Sequence, residues 1–341
     1  MDEREILTRF KAGLLEREQA VWLLAERRRA PGRGTDGGFP PLAPAPASPA
    51  PVSASPAPAS GAAAAPVSGA AAPVFLPLPG GAHEPIKLWY CSNDELDSAL
   101  AVTLARHWLD EEEQETASRF LFEHDRRQYL VAHALVRRVL ALESGLPEAE
   151  AVIWRSARGR PFLERPPVGL PRGGQELDFN LSHAEGHNLL GVVRSHRIGV
   201  DVERVDRGEQ GLDAIIETFA QDERDWVARA APGRTRDCRT LRLWTLKEAY
   251  SKARGLGLGL PFDSFSFTLH EERGVLAFRP PESEAALPWR FLELEPEPGV
   301  LAAVALLADA DVPSVLQLHR GFPWSRKAPE LLGLPEPVAG R

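Results

Sequence analysis

Cysteine is nearly absent: Cys91 and Cys238 are the two in a chain of 341 residues. They stand far apart, and neither has a CxxC neighbour, which excludes a zinc cluster or a disulfide framework. No run approaches the ~20 apolar residues that a membrane span requires. The N-terminus is charged where a signal peptide would carry its apolar region, so the expectation is a cytoplasmic protein without a membrane partner. A basic surface is missing as well. Net charge is −8, and the arginines are scattered among acids, which argues against a surface that tracks nucleic-acid phosphates but leaves a small phosphorylated ligand open. The glycines after Lys252 follow a helix and lack a GK[ST] ending, and no Nudix-type acid cluster occurs, which disfavours a Walker-type site and a diphosphate hydrolase.

Composition divides what remains. Residues 30–85 are dominated by Ala, Pro, Gly and Ser, and ordering them would cost entropy that no core repays, so they are expected to be a linker. Before them, in residues 1–29, Ile6, Phe10 and Leu14 recur at helical spacing, Gly13 interrupts, and Val21, Leu24 and Ala25 resume the pattern. Two short amphipathic helices fit, marginal alone and suited to folding against a partner. Residues 86–325 form the body, and 326–341 a tail. Periodicity predicts strands at 86–90, 178–181, 189–193, 198–205, 265–269, 274–278, 289–294 and 301–307, and helices at 99–109, 129–142, 215–219, 222–230 and 243–252. Both element types appear in both halves, which suits an α+β fold of two similar lobes, about 86–196 and 197–325.

Four local patterns carry chemistry. In Gly199-Val200-Asp201-Val202-Glu203 the valines share one face of a strand and the two acids the other. Carboxylates held side by side either face water on an edge strand or flank a hard cation. In Trp244-Thr245-Leu246-Lys247-Glu248-Ala249-Tyr250-Ser251-Lys252, Glu248 and Lys252 share a helical face, as an ordinary surface ion pair would. Phe179-Asn180-Leu181-Ser182-His183 ends a strand on a polar pair that either binds a ligand or caps a turn. Gly159-Arg160-Pro161 is a turn presenting one guanidinium.

Taken in order, GRP at 159–161, NLSHAEG at 180–186, GVDVERV at 199–205 and WTLKEAYSKARGLGLGLPF at 244–262 resemble the Sfp-type 4′-phosphopantetheinyl transferases. The resemblance spans nearly the whole body. It includes Arg119-Phe120, Asp125-Arg126-Arg127, Leu135-Val136-Arg137, the Phe219–Glu223 stretch and the LPFDSF run that begins at Leu260.

That resemblance implies a pseudo-dimeric, two-lobed fold, each lobe a small antiparallel sheet packed with helices, acting as a monomer. It implies magnesium-dependent transfer of the phosphopantetheine arm of coenzyme A to a serine of an acyl or peptidyl carrier protein, releasing adenosine 3′,5′-bisphosphate. Asp201, Glu203 and Glu248 match the metal ligands, Glu248 the general base, acting directly or through a water, and Lys252 a catalytic phosphate contact. Arg160, Ser182 and His183 match positions at the 3′-phosphate and adenine end of coenzyme A. Glu223 matches a further acid near the site, and Lys247 points away from Glu248 on the helix. One departure stands out: where relatives place lysines that grip the 3′-phosphate, this chain has acidic residues from Asp110 to Glu115, so Arg126, Arg127 or Arg137 is expected to compensate. Residues 1–29 also resemble the F-K-x-G-x-L-x-x-x-x-A segments between domains of modular polyketide synthases, which makes them a candidate docking element. The alternative is a weakly active carrier-binding module, against which the intact acids speak.

Overall fold

The computed structural model describes residues 85–156, 158–164, 177–206, 212–256, 259–282, 287–308, 315–324 and 328–338. The expected docking segment 1–29 lies outside the described residues, as does the expected linker 30–85 apart from Pro85. Strand β1 (Ile86–Ser92) precedes three helices, α1 (Ser98–Trp108), α2 (Glu111–Ser118) and α3 (Glu123–Ser144), and the short strands β2 (Ile153–Arg155) and β3 (Pro161–Leu163). Strands β4 (Leu177–Ala184), β5 (His187–Arg194) and β6 (Arg197–Arg204) lead to α4 (Leu212–Ile216), α5 (Gln221–Ala228) and α6 (Arg234–Arg254). Six strands follow: β7 (Ser266–Leu269), β8 (Val275–Arg279), β9 (Trp289–Glu297), β10 (Val300–Leu307), β11 (Val315–Arg320) and β12 (Glu330–Gly333). No helix among the described residues is long and apolar enough to cross a membrane.

One sheet has the order β12-β11-β1-β5-β4 and another β6-β10-β9. Ile86, Leu88 and Tyr90 of β1 pack against the second sheet, while Trp89 and Cys91 face α1 and α3. Both faces of β1 are therefore buried, which is why it reads as a nearly continuous apolar run. The inner core joins the sheets through Val200, Val202, Val304 and Leu306. On the far side of the second sheet, Leu246, Ala249 and Ala253 of α6 pack against Ala303 and Ala305 of β10. The result is helices, sheet, sheet, helix: the expected α+β architecture of two lobes, each a sheet covered by helices. One pairing departs from the antiparallel rule. β1 and β11 run parallel, because the chain returns from the second lobe to add β11 and β12 to the first sheet. The expected tail thus contains a strand, β12, and Leu334 beside it is buried.

The acidic run that departs from the family pattern has a structural use. Asp110 caps α2, accepting from Glu113 N at 2.9 Å while the Glu113 side chain accepts from Asp110 N, a capping box. Glu113 then turns inward to Arg137 at 2.7 Å and His133 at 2.8 Å. Arg137, 1% exposed, also holds Asp110 and the Ala151 carbonyl. The expectation that Arg137 replaces a phosphate grip fails for this reason: its guanidinium is buried and fully engaged within the first lobe.

Candidate active site

The site forms where β4, β6 and α6 meet. Gly199, Asp201 and Glu203 lie on the face of β6 turned toward α6, opposite the buried Ile198, Val200 and Val202. Gly199 sets the distance. A Cβ there would lie 2.0 Å from Ala249 O and 2.4 Å from Ala253 N, so strand and helix backbones touch only because neither a side chain on the strand nor a large one on the helix intervenes. α6 ends at Gly255, which takes the left-handed conformation and donates its N–H to Lys252 O.

The free edge of β6 is satisfied unusually. Asp178, Asn180 and Ser182, alternate residues of β4, accept from Ile198 N (2.8 Å), Val200 N (2.8 Å) and Val202 N (3.4 Å). Side chains thus supply the acceptors that a neighbouring strand would otherwise provide, and the N-L-S run is fastened to the strand that bears the acids.

Trp244, Glu248 and Lys252 recur four apart on α6 and share a face. Lys252 Nζ reaches Asp201 Oδ1 at 2.7 Å and Ser182 Oγ at 2.8 Å, and Ser182 Oγ donates to the same Asp201 oxygen at 2.8 Å. One turn beyond Glu248, Trp244 Nε1 donates to Glu203 Oε1 at 3.0 Å. The two ends of the helical row are pinned to the two strand acids, and Glu248, 5% exposed, stands between them. Asp201 is fully buried, yet its Oδ2 makes no hydrogen bond. Among the described residues no three His, Cys, Asp or Glu side chains are arranged to hold a metal. The donor set itself suits a hard cation, being all carboxylate oxygen, with two buried oxygens, Asp201 Oδ2 and Glu248 Oε1, that make no hydrogen bond.

The remaining expected residues separate. His183 is exposed at the end of β4, beside the buried Ser182. Arg126 is half-exposed, 3.9 Å from Glu123. Arg127 instead donates to the carbonyls of Asn93 and Leu96, tying α3 to the loop after β1. Arg160 is 6% exposed and directed into the molecule, toward Asp178. Glu223 is no part of the site: it accepts from Ala220 N and Phe267 N and pairs with Lys247 at 2.8 Å. Lys247, also bonded to the carbonyls of Phe262 and Phe265, does point away from Glu248. Burial pushes its ammonium down to about 8 and pushes the Glu223 carboxyl up.

Two family profiles match the halves of this arrangement: "4′-phosphopantetheinyl transferase, N-terminal" over residues 88–192 and the "4′-phosphopantetheinyl transferase superfamily" over residues 197–305. The chain belongs to the 4′-phosphopantetheinyl transferase family, Sfp-type. The class of enzyme expected from the sequence is the class of its relatives. A phosphopantetheinyl transferase of Thraustochytrium sp. is 34% identical over 177 residues, 49% of this chain and 59% of that one. The 4′-phosphopantetheinyl transferase HetI of Nostoc sp. is 29% identical over 224 residues, 65% and 88% of the two chains. The 4′-phosphopantetheinyl transferase Sfp of Bacillus subtilis is 28% identical over 198 residues, 58% and 81%. Within this family frame, sequence reasoning gave no role to Trp244, Gly199 or Asp178. The signal for Trp244 was its place four residues before Glu248; Asp178 carried none, since its partners Ile198 and Arg160 are set by the tertiary fold.

Proposed function

We propose that the protein moves the 4′-phosphopantetheine arm of coenzyme A to a serine of an apo acyl or peptidyl carrier protein, releasing adenosine 3′,5′-bisphosphate, with magnesium as the metal. The observation that carries the reading is the fully buried Asp201 carboxylate with an unsatisfied Oδ2, fastened to an ammonium at the rim. Asp201, Glu203 and Glu248 would hold the metal. When bound, magnesium would offset charge on the pyrophosphate and the leaving bisphosphate.

The serine oxygen attacks the phosphorus that bears the pantetheine arm. The bond from that phosphorus to the bridging oxygen breaks, and the bisphosphate departs with the electron pair. Glu248 accepts the hydroxyl proton on its carboxylate. Lys252, its side chain 18% exposed, supplies a positive charge to the departing phosphate, so most of the catalysis is positional and electrostatic. The exposed His183 receives the 3′-phosphate and adenine end, with Arg126 at the lobe surface as a further contact, while the neighbouring Ser182 hydroxyl holds Asp201 and Lys252 in place. Residues 1–29 extend the proposal to a partner: their likeness to polyketide synthase linker segments points to docking on a polyketide or non-ribosomal peptide synthase, the transferase itself acting as a cytoplasmic monomer.

The deciding experiment incubates the protein with coenzyme A, magnesium and an apo carrier domain and weighs the carrier by mass spectrometry. The carrier gains the phosphopantetheine mass; no gain on several carrier types refutes the reading. Asp201→Ala and Glu248→Gln abolish the gain, and full activity in either would show that the carboxylates are wrongly assigned.

A further inference from the structure

Arg160 is the guanidinium of the GRP turn. β2 and β3 pair antiparallel, and Arg160 N donates to Ser156 Oγ at 3.2 Å across the turn between them. From there the side chain runs inward. Its Nη2 meets both oxygens of Asp178, at 2.8 and 2.7 Å, and the carbonyl of Ile198 at 2.9 Å. Its Nη1 donates to the carbonyl of Lys252. Side-chain exposure is 3% for Arg160 and 6% for Asp178.

Lys252 O belongs to the last turn of α6, where it already accepts from Gly255 N but lacks the usual donor four residues on. A guanidinium at that end gives it a second donor and lies at the negative pole of the helix dipole. The same group grips Asp178, which accepts from Ile198 N, the residue immediately before Gly199, where strand and helix backbones touch. The helix terminus also rests on the arginine stem: a Cβ at Gly255 would lie 3.0 Å from Arg160 Cδ. One side chain therefore fixes the end of α6, the edge of β4 and the start of β6, the three elements that carry Lys252, Ser182 and Asp201.

We infer that Arg160 is a positioning residue, a clamp with Asp178 that sets the register of α6 over β6, and that it does not bind the 3′-phosphate of coenzyme A. Turning toward a phosphate would take from a buried carboxylate its two short charged contacts and leave Arg197 Nε at 4.0 Å as its remaining ion pair, an unfavourable exchange. The kinetic half of this inference rests on the transferase reading; the structural half does not.

Arg160→Lys separates the roles, because lysine keeps the positive charge but loses the planar fork that spans Asp178 and Lys252 O. Initial rates are measured on an apo carrier domain with coenzyme A and with 3′-dephospho-coenzyme A, and amide hydrogen exchange is followed by mass spectrometry over peptides covering 249–256 and, for reference, α3. The clamp gives a kcat fall of about tenfold or more with KM for coenzyme A within about threefold of wild type. The preference for coenzyme A over its dephospho form stays as in wild type, and exchange over 249–256 accelerates while α3 does not change. A raised KM with a collapsed preference makes Arg160 a phosphate ligand and overturns the inference, as does unchanged exchange over 249–256. If Arg160→Lys does not fold, Asp178→Asn takes its place: it keeps an acceptor for Ile198 N but removes the charge, and unchanged exchange in that variant is equally decisive. A wild-type protein inactive with both coenzymes refutes the transferase reading, while the exchange data still decide the clamp.

Discussion

Gly199→Ala is the smallest change that should dismantle the site without touching a polar group. The added methyl would sit 2.0 Å from Ala249 O, 2.4 Å from Ala253 N and 2.9 Å from Ala253 Cα, roughly 1–2 Å inside van der Waals contact. All three atoms are helix backbone, so no side chain can rotate away, and α6 must retreat from β6. The retreat opens the 2.7 Å contact between Lys252 and Asp201 and moves Glu248 off the strand acids. A displacement of about 1 Å in a positioned group costs on the order of a hundredfold in rate, and overpacking costs about 1–3 kcal/mol in stability. Gly191→Ala is the control. Its methyl would meet Ile198 Cδ1 and Val200 Cγ1, each at 2.7 Å, which are side-chain atoms on the face of β6 away from α6, so the helix need not move. Carrier modification is timed for both variants alongside their urea unfolding curves. Gly199→Ala should be folded and nearly inactive, and Gly191→Ala folded and far more active. Equal activities would refute the claim that backbone contact at Gly199 sets the site.

The interior ion pairs and thiols are open to test as well. Glu113→Gln leaves Arg137 short of a buried counter-charge and should cost about 3–5 kcal/mol near neutral pH. Burial alone would raise the Glu113 carboxyl, but the His133 hydrogen bond and charge, with Arg137, hold it below its ordinary 4.5; that stabilisation is present above pH 4.5 and lost as pH falls, so the wild-type advantage in unfolding curves should shrink in acid. Burial pushes the Cys91 thiol up to about 12, whereas Cys238 is only partly buried, so a disulfide reagent at pH 8 should label Cys238 first and Cys91 only on unfolding; equal rates in the native protein would contradict this packing.

What could be read from the chain alone follows how local the physics is. The alternation in Gly199–Glu203 gave the facing of the two acids, because strand geometry fixes it over five residues. The helix of Glu248 and Lys252 was legible too, yet α6 begins at Arg234, nine residues before the predicted start. Its first turns are charged, and Arg242 finds its partner Glu293 far along the chain, so periodicity had nothing to count there. α2 was invisible for a related reason: its pattern is acidic, and its meaning lies in a cap and in Arg137. β11 and β12 were missed because each depends on the neighbour it joins: β11 on β1, distant in sequence, and the four-residue edge strand β12 on β11.

Charge burial sets Asp201 apart from the other interior acids. Lys247 with Glu223, Arg242 with Glu293 and Arg137 with Glu113 are all buried pairs. Each arginine or lysine also donates to main-chain carbonyls: Lys247 to Phe262 and Phe265, Arg242 to His270 and Glu271, Arg137 to Ala151. A fold survives an interior ion when its hydrogen-bonding demand is met as well as its charge. Asp201 breaks that pattern. It is as deeply buried as any of them, it shares one oxygen between Lys252 and Ser182, and its other oxygen makes no hydrogen bond. The structural pairs close on themselves within one lobe, whereas Asp201 draws on both lobes, with Ser182 on β4 and Lys252 on α6. An unmet demand at the junction of the lobes is where, on the proposed reading, an outside cation and a phosphorylated substrate would find their place, and it distinguishes Asp201 from the structural carboxylates without reference to any relative.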